Sequence, residues 1–253
     1  MKIHCLIENT SSSTELTAEH GLSLLIETGA HRILFDTGAS ALFADNAEHM
    51  GLDLRSVDMV VLSHGHYDHG GGLEKFLELN THAPVWISPH AFEPHFNARG
   101  KDIGLSPALQ AHPRIRTAIP SPAPGITLHG GDGIPVEASG MSAICNGVCL
   151  PEDFRHEQYL LIQEGDQSIL FSGCSHRGIL NIAAHFRPDV LVGGFHLMNE
   201  TDTSRLSRLA ERLTEQPATY YTGHCTGDFA FATMKPHMGD RLQRFTTGDC
   251  LIL

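Results

Sequence analysis

The chain has 253 residues, 41% hydrophobic and 18% charged, with a formal net charge of −12; this suits one large domain or two small ones with a substantial core and excludes a disordered chain. Strong negative charge without a basic cluster argues against a nucleic-acid partner, and no stretch approaches the roughly 18 apolar residues that a membrane span needs. The six cysteines (Cys5, Cys145, Cys149, Cys174, Cys225, Cys250) are scattered and residues 1–9 read as a strand and not a signal peptide, so a reduced, cytoplasmic setting is expected.

Residues 1–8 read as a strand and Asn9 to Glu19 as a Ser/Thr-rich loop. Leu22 to Glu27 and Arg32 to Phe35 read as a hairpin about Thr28-Gly29-Ala30-His31, and its second strand ends in Asp36-Thr37-Gly38. Ser40 to Met50 has a helical pattern closed by Gly51. Val57 to Leu62 is an apolar strand running directly into Ser63-His64-Gly65-His66-Tyr67-Asp68-His69-Gly70-Gly71-Gly72. Three histidines and an aspartate at the end of a strand can be aimed at one point, and imidazole with carboxylate suits zinc, iron or manganese. In extended backbone His64 and His66 share a side, while Asp68 and His69 lie beyond the bend and can face a second ion.

Leu73 to Leu79 reads as a short helix and Val85 to Ile87 as a strand. Ser88-Pro89 looks like an N-cap with a first-turn proline, predicting a helix toward Phe96. From about 90 to 140 the chain is rich in proline and glycine, which suggests a lid or insertion with short strands at Arg116 to Ile119 and Ile126 to Leu128. Cys145 and Cys149 read as small core residues, and His4, His20, His31, His49, His82, His112 and His237 as solvated.

Glu157 to Gln163 and Ser168 to Phe171 form a second hairpin, ending in Ser172-Gly173-Cys174-Ser175-His176. A helix follows over Ile179 to Phe186. The strand Asp189 to Val192 ends in Gly193-Gly194-Phe195-His196, and Ser204 to Leu213 is an amphipathic helix. The strand Ala218 to Thr222 ends in Gly223-His224-Cys225-Thr226-Gly227, and a last helix and the strand Cys250 to Leu253 close the chain. Both halves thus share a plan of hairpin followed by βα units, and the His-bearing turns follow the C-terminal ends of strands, where layered α/β folds bind ligands. Six such turns converging on one edge would supply ligands for two metal ions, which can clamp a substrate oxygen and generate a hydroxide near neutral pH.

Ser63 to Gly72 resembles the His-x-His-x-Asp-His signature of the metallo-β-lactamase superfamily, and Asp36-Thr37-Gly38 its upstream aspartate motif; the likeness covers essentially the whole chain. It implies an α/β (α+β) fold, a four-layer αββα sandwich forming a single domain over 1–253, with a metal site at the sheet edges. The later motifs around Cys174, His196 and His224 are similar to a branch of β-lactamase superfamily II metal-dependent hydrolases that includes archaeal dihydropterin- or dihydropteroate-synthase-like proteins. The resemblance implies that His64 and His66 hold a first metal, and that Asp68, His69 and His224 hold a second. Cys174 stands where many relatives have a bridging aspartate, and His176 is the substitute for a histidine usually found upstream. Asp36 would orient a histidine without binding metal.

The expected activity is hydrolysis of a small metabolite (an ester, lactone, amide or phosphodiester) by a metal-bound hydroxide. Asp68 would position the nucleophile, His196 would act as acid/base or substrate contact, and the cofactor would be two zinc ions, with iron or manganese as alternatives. A mononuclear iron or redox enzyme on the same fold, kept open by Cys174, and a pterin-related transferase are the competing readings.

Overall fold

Alternating apolar residues decide how the layers stack. In the computed structural model, which describes residues 1–117, 121–136 and 140–253, the N-terminal elements are β1 (Lys2–Ile7), β2 (Ser23–Glu27), β3 (Arg32–Phe35), α1 (Leu42–His49), β4 (Met59–Val61), α2 (Tyr67–Gly70), α3 (Leu73–Leu79) and β5 (Val85–Trp86). They are followed by β6 (His95–Phe96), β7 (Ile115–Arg116), β8 (Ile126–Gly130), β9 (Ser142–Cys145) and β10 (Val148–Pro151). The C-terminal elements are β11 (Gln158–Glu164), β12 (Gln167–Phe171), α4 (Ile179–Phe186), β13 (Val190–Val192), α5 (Thr203–Thr214), β14 (Thr219–Thr222), α6 (Asp228–Met238), β15 (Leu242–Arg244) and β16 (Cys250–Ile252).

Among the described residues the strands form two large sheets, β16-β1-β2-β3-β4-β5-β7 and β15-β14-β13-β12-β11-β8, and a small one, β10-β9-β6. The shared plan of the two halves is visible in the pairing. The hairpins β2–β3 and β11–β12 are antiparallel, and each then continues with parallel neighbours, β4 and β5 in one sheet, β13, β14 and β15 in the other.

Side chains one residue apart face opposite layers. Leu24, Ile26, Ile33 and Phe35 meet Leu160, Ile162, Ile169 and Phe171 between the sheets, with the Phe35 and Phe171 rings 5.6 Å apart. Leu25, Leu34 and Val60 face outward onto Phe43 of α1 and Leu73 and Phe76 of α3. Leu170, Leu191 and Tyr220 face outward onto Ile182 of α4, Leu206 and Leu213 of α5 and Met234 of α6. Three apolar seams between four layers make the αββα sandwich.

Three local expectations change. Residues 88–94 form turns before β6 rather than a helix. The Ser88 hydroxyl caps only a local turn, accepting from His90 N–H and donating to the Arg155 carbonyl, and Pro94 removes a helical donor and disfavours helix at Glu93. The strand expected over Arg116 to Ile119 is Ile115–Arg116, its later part lying outside the described residues. Cys145 and Cys149 sit on the small sheet and not in the core, Cys149 exposed. Residues 90–140 also do more than overhang: β7 and β8 are edge strands of the two large sheets, and β6 joins β9.

Candidate metal centre

The strands bring their C-terminal ends to one edge, and each leaves the sheet through a sharp turn. Asp36 after β3, Ser175 after β12, His196 after β13 and His224 after β14 all have positive φ, between 46° and 60°. Non-glycine residues take this region at a cost and keep it only where surrounding contacts fix it. Two glycines make the close approach possible. A Cβ on Gly65 would lie 2.2 Å from the Ala91 carbonyl oxygen, and one on Gly173, itself at φ +61°, would lie 2.3 Å from Ser63 Oγ.

Asp36 is the hub of the first turn. Its carboxylate accepts from Ser63 N–H and Ser63 Oγ–H, both at 2.7 Å, and lies 2.6 Å from His69 Nδ1. With the Ser63 proton spent on Asp36, its oxygen accepts from His64 Nδ1 at 2.8 Å. On the other side His224 Nδ1 donates to Asn9 Oδ1 at 2.8 Å, while its backbone N–H donates to Glu8. In His64 and His224 the Nδ1 proton is therefore engaged, which leaves an Nε2 lone pair facing inward, and in His69 the Asp36 contact at Nδ1 leaves Nε2 as the atom that would give up its proton to a metal, the arrangement expected of metal-holding histidines.

The inward atoms crowd together. His64 Nε2 lies 3.3 Å from His176 Nε2, and His69 Nε2 lies 3.2 Å from His224 Nε2 and 3.1 Å from Cys174 Sγ. Asp68 Oδ2 is 3.5 Å from His224 Nε2 and 4.0 Å from His69 Nε2. Among the described residues His66 Nε2 is buried without a partner, and His66 groups with His64 and His176, while Cys174 groups with His64 and His69. Two nitrogens on one tetrahedral ion with bonds of about 2.0–2.1 Å would stand about 3.3 Å apart. The donor set fits cations. All seven sequence-chosen candidates, His64, His66, Asp68, His69, Cys174, His176 and His224, come together here, and His196 stands at the margin, its ring 4.3 Å from that of His176.

Charge follows the same geometry. Burial pushes the imidazole of His66 down to about 3, and it lowers His64 and His176 as well. Burial acts the same way on His69, but the carboxylates of Asp36 and Asp68 overcome it and raise this imidazole to about 9. Burial opposes ionisation of Asp68, yet His69, His20 and His224 hold its carboxyl well below the usual range. Burial also drives the Cys174 thiol up, so a thiolate there needs a cation beside it.

Several contributors have no local signal. His20, expected to be solvated, reaches Asp68 Oδ2 at 3.3 Å from its loop. Glu157 is fully buried and accepts from His176 N–H at 2.7 Å and Tyr159 O–H at 2.7 Å, fixing the Cys174–His176 turn. His156 accepts the Gly65 N–H at Nδ1, 2.8 Å away, which places its own proton on Nε2 and removes it from the donor set. His95 stacks on it at 3.9 Å and pairs with Glu152 at 2.8 Å.

Replacing Asp36 by alanine strands the Ser63 N–H and the His69 imidazolium in a fully buried place. Loss of one partner of such a pair costs about 3–5 kcal/mol. Denaturant titration of the metal-free Asp36→Ala protein is expected to show a fall of that size, and a change under about 1 kcal/mol would contradict the assigned role.

Residues 16–143 match the family model described as the metallo-beta-lactamase superfamily. A 7,8-dihydropterin-6-methyl-4-(beta-D-ribofuranosyl)-aminobenzene-5'-phosphate synthase of Methanocaldococcus jannaschii is 31% identical, over 90% of this chain and 88% of that protein. The crystal structure of a metal-dependent hydrolase of the beta-lactamase superfamily superposes with a TM-score of 0.85 at 29% identity, covering 100% of this chain and 99% of the other. Zn(2+)-bound PqqB from Methylobacterium extorquens, at 13% identity, a TM-score of 0.62 and full coverage of both chains, shares the fold.

Proposed function

Because the chain belongs to the metallo-β-lactamase superfamily, we propose that it is a metal-dependent hydrolase acting on a small-molecule ester, lactone, amide or phosphodiester. One observation carries this reading: five imidazoles, a thiol and a carboxylate converge beneath a cavity of about 330 Å³. His64, His66 and His176 would hold one ion and Asp68, His69 and His224 a second, with Cys174 between them. Nitrogen and sulfur donors favour zinc. Such ions, when bound, lower the pKa of water and offset the charge that develops on the attacked group.

The chain's own residues do the rest. Asp68 faces the cavity and can orient the attacking nucleophile, its position held by His20 and His224. His196 lines the same cavity with a buried Nδ1 that has no partner among the described residues, which suits proton transfer to a leaving group. Asn97, Arg99 and Ile103 form a wall of that cavity, so residues 90–140 act in substrate selection.

A second reading has an observation of its own, since the relative at 31% identity is a synthase. The same centre could pass an activated group to an acceptor other than water. Turnover of a panel of esters, lactones, amides and phosphodiesters in H2-18O, with the zinc-loaded protein, separates the two. Incorporation of 18O into product is the expected result, whereas product formed only after an amine acceptor is added would establish the transferase.

A further inference from the structure

A second cavity, of about 500 Å³, adjoins the metal centre, and both cavities are walled by His176, His196 and Asn199. Its far wall is α5, which contributes Arg205, Arg208 and Arg212. Their spacing of three and four residues puts all three on one helical face, while Leu206, Ala210 and Leu213 are buried in the core. Arg205 is ion-paired with Glu200, another residue of the wall. Among the described residues neither Arg208 nor Arg212 has an acidic partner. Like charges at this spacing destabilise a helix unless something neutralises them, and both guanidinium groups, exposed and without an acidic partner among the described residues, line this cavity in a chain of net charge −12. The start of α4 lines the same cavity. It begins after Gly178 with no side-chain cap, so its first amides have no side-chain acceptor. His176, 4% exposed, adds in that wall an Nδ1 without a partner among the described residues.

We propose that this cavity seats the phosphoryl end of the substrate, a phosphomonoester or diphosphate, while the reacting bond lies over the metal centre. The assignment rests on the hydrolase-type reading of that centre and adds the substrate class. Two guanidinium forks and a helix start supply more donors than one carboxylate can use, and they match a tetrahedral dianion. A volume of about 500 Å³ lies in the range of small-ligand sites.

Calorimetric titration of the zinc-loaded protein with inorganic pyrophosphate tests this without turnover, so a failure of the hydrolysis reading in 18O leaves the result interpretable. The Arg208→Ala/Arg212→Ala protein is expected to bind pyrophosphate at least about tenfold more weakly, the scale of one lost charge-assisted contact. The His64→Ala/His66→Ala protein, whose first metal position is destroyed, is expected to keep binding within about threefold, as the anion is held by arginine. Unchanged affinity in the arginine variant, or loss of binding only in the histidine variant, would show that the anion sits on metal and would overturn the proposal. Malonate bound as tightly as pyrophosphate would overturn the phosphoryl assignment.

Discussion

A His64→Ala/His66→Ala protein is expected to lose more than about 100-fold in zinc affinity at the position shared with His176, because changing groups that merely orient ligands already costs about 10- to 100-fold. Turnover is expected to fall with it, by about 10³-fold or more, since the ion supplies both nucleophile activation and charge stabilisation. The fold is expected to persist: both side chains face the centre, and the three apolar seams do not include them. Metal analysis after gel filtration, run beside activity and circular dichroism, reads all three quantities. Full turnover in a metal-free sample would remove the basis of the mechanism.

Acid is expected to weaken the metal-free protein steeply. His66 has its imidazole lowered to about 3, and His64, His156 and His176 are lowered too, so these rings stay neutral in the native state. In the unfolded chain each takes a proton near 6.5. Between those limits the unfolded state binds more protons, so stability rises with pH through the window and is lost as pH falls, by about 1.4 kcal/mol per unit per ring. His69 has the opposite sign. Raised to about 9, it adds stability that is present below about 6.5 and lost as pH climbs toward 9. His20 and His196 are raised as His69 is, but the lowered rings, joined by His129, outnumber these three, so urea midpoints measured at pH 7, 6 and 5 should drop progressively. A flat profile would mean that these imidazoles are solvated. Zinc should move the fall to lower pH, because it binds only the neutral rings.

The side chains that converge at the candidate centre were legible because each sits in a strand-end motif that the sequence displays openly. His64 to His69 are contiguous, and Cys174, His176 and His224 each follow an apolar run and a glycine. The alternation of Leu24, Leu25 and Ile26 likewise announces two buried faces. What stayed hidden depends on contacts between distant segments. Glu157 matters because the β11–β12 hairpin returns it under His176, and His20 because a polar loop folds back on Asp68. The helix expected after Ser88 failed where local cap chemistry met Pro94, and its residues instead lead into β6. The amphipathic pattern of Ser204 to Leu213 singles out its leucines and not Arg208 or Arg212, which stand out only once the cavity beside them is in view.

The pairing of β16 with β1 (Lys2 with Ile252, Ile3 with Leu251, His4 with Cys250) has a bearing on how the chain is made. β16 is made after every other described strand, yet it seals the first sheet. Until then β1 presents an open edge, the kind of surface that invites pairing with another chain. β1 also leads directly into Glu8 and Asn9, the two residues that hold His224. Assembly of the centre is thereby tied to a strand made late: a nascent chain carries the His64–His69 cluster early, but the segment that steadies its distant partner is clamped only when β16 arrives.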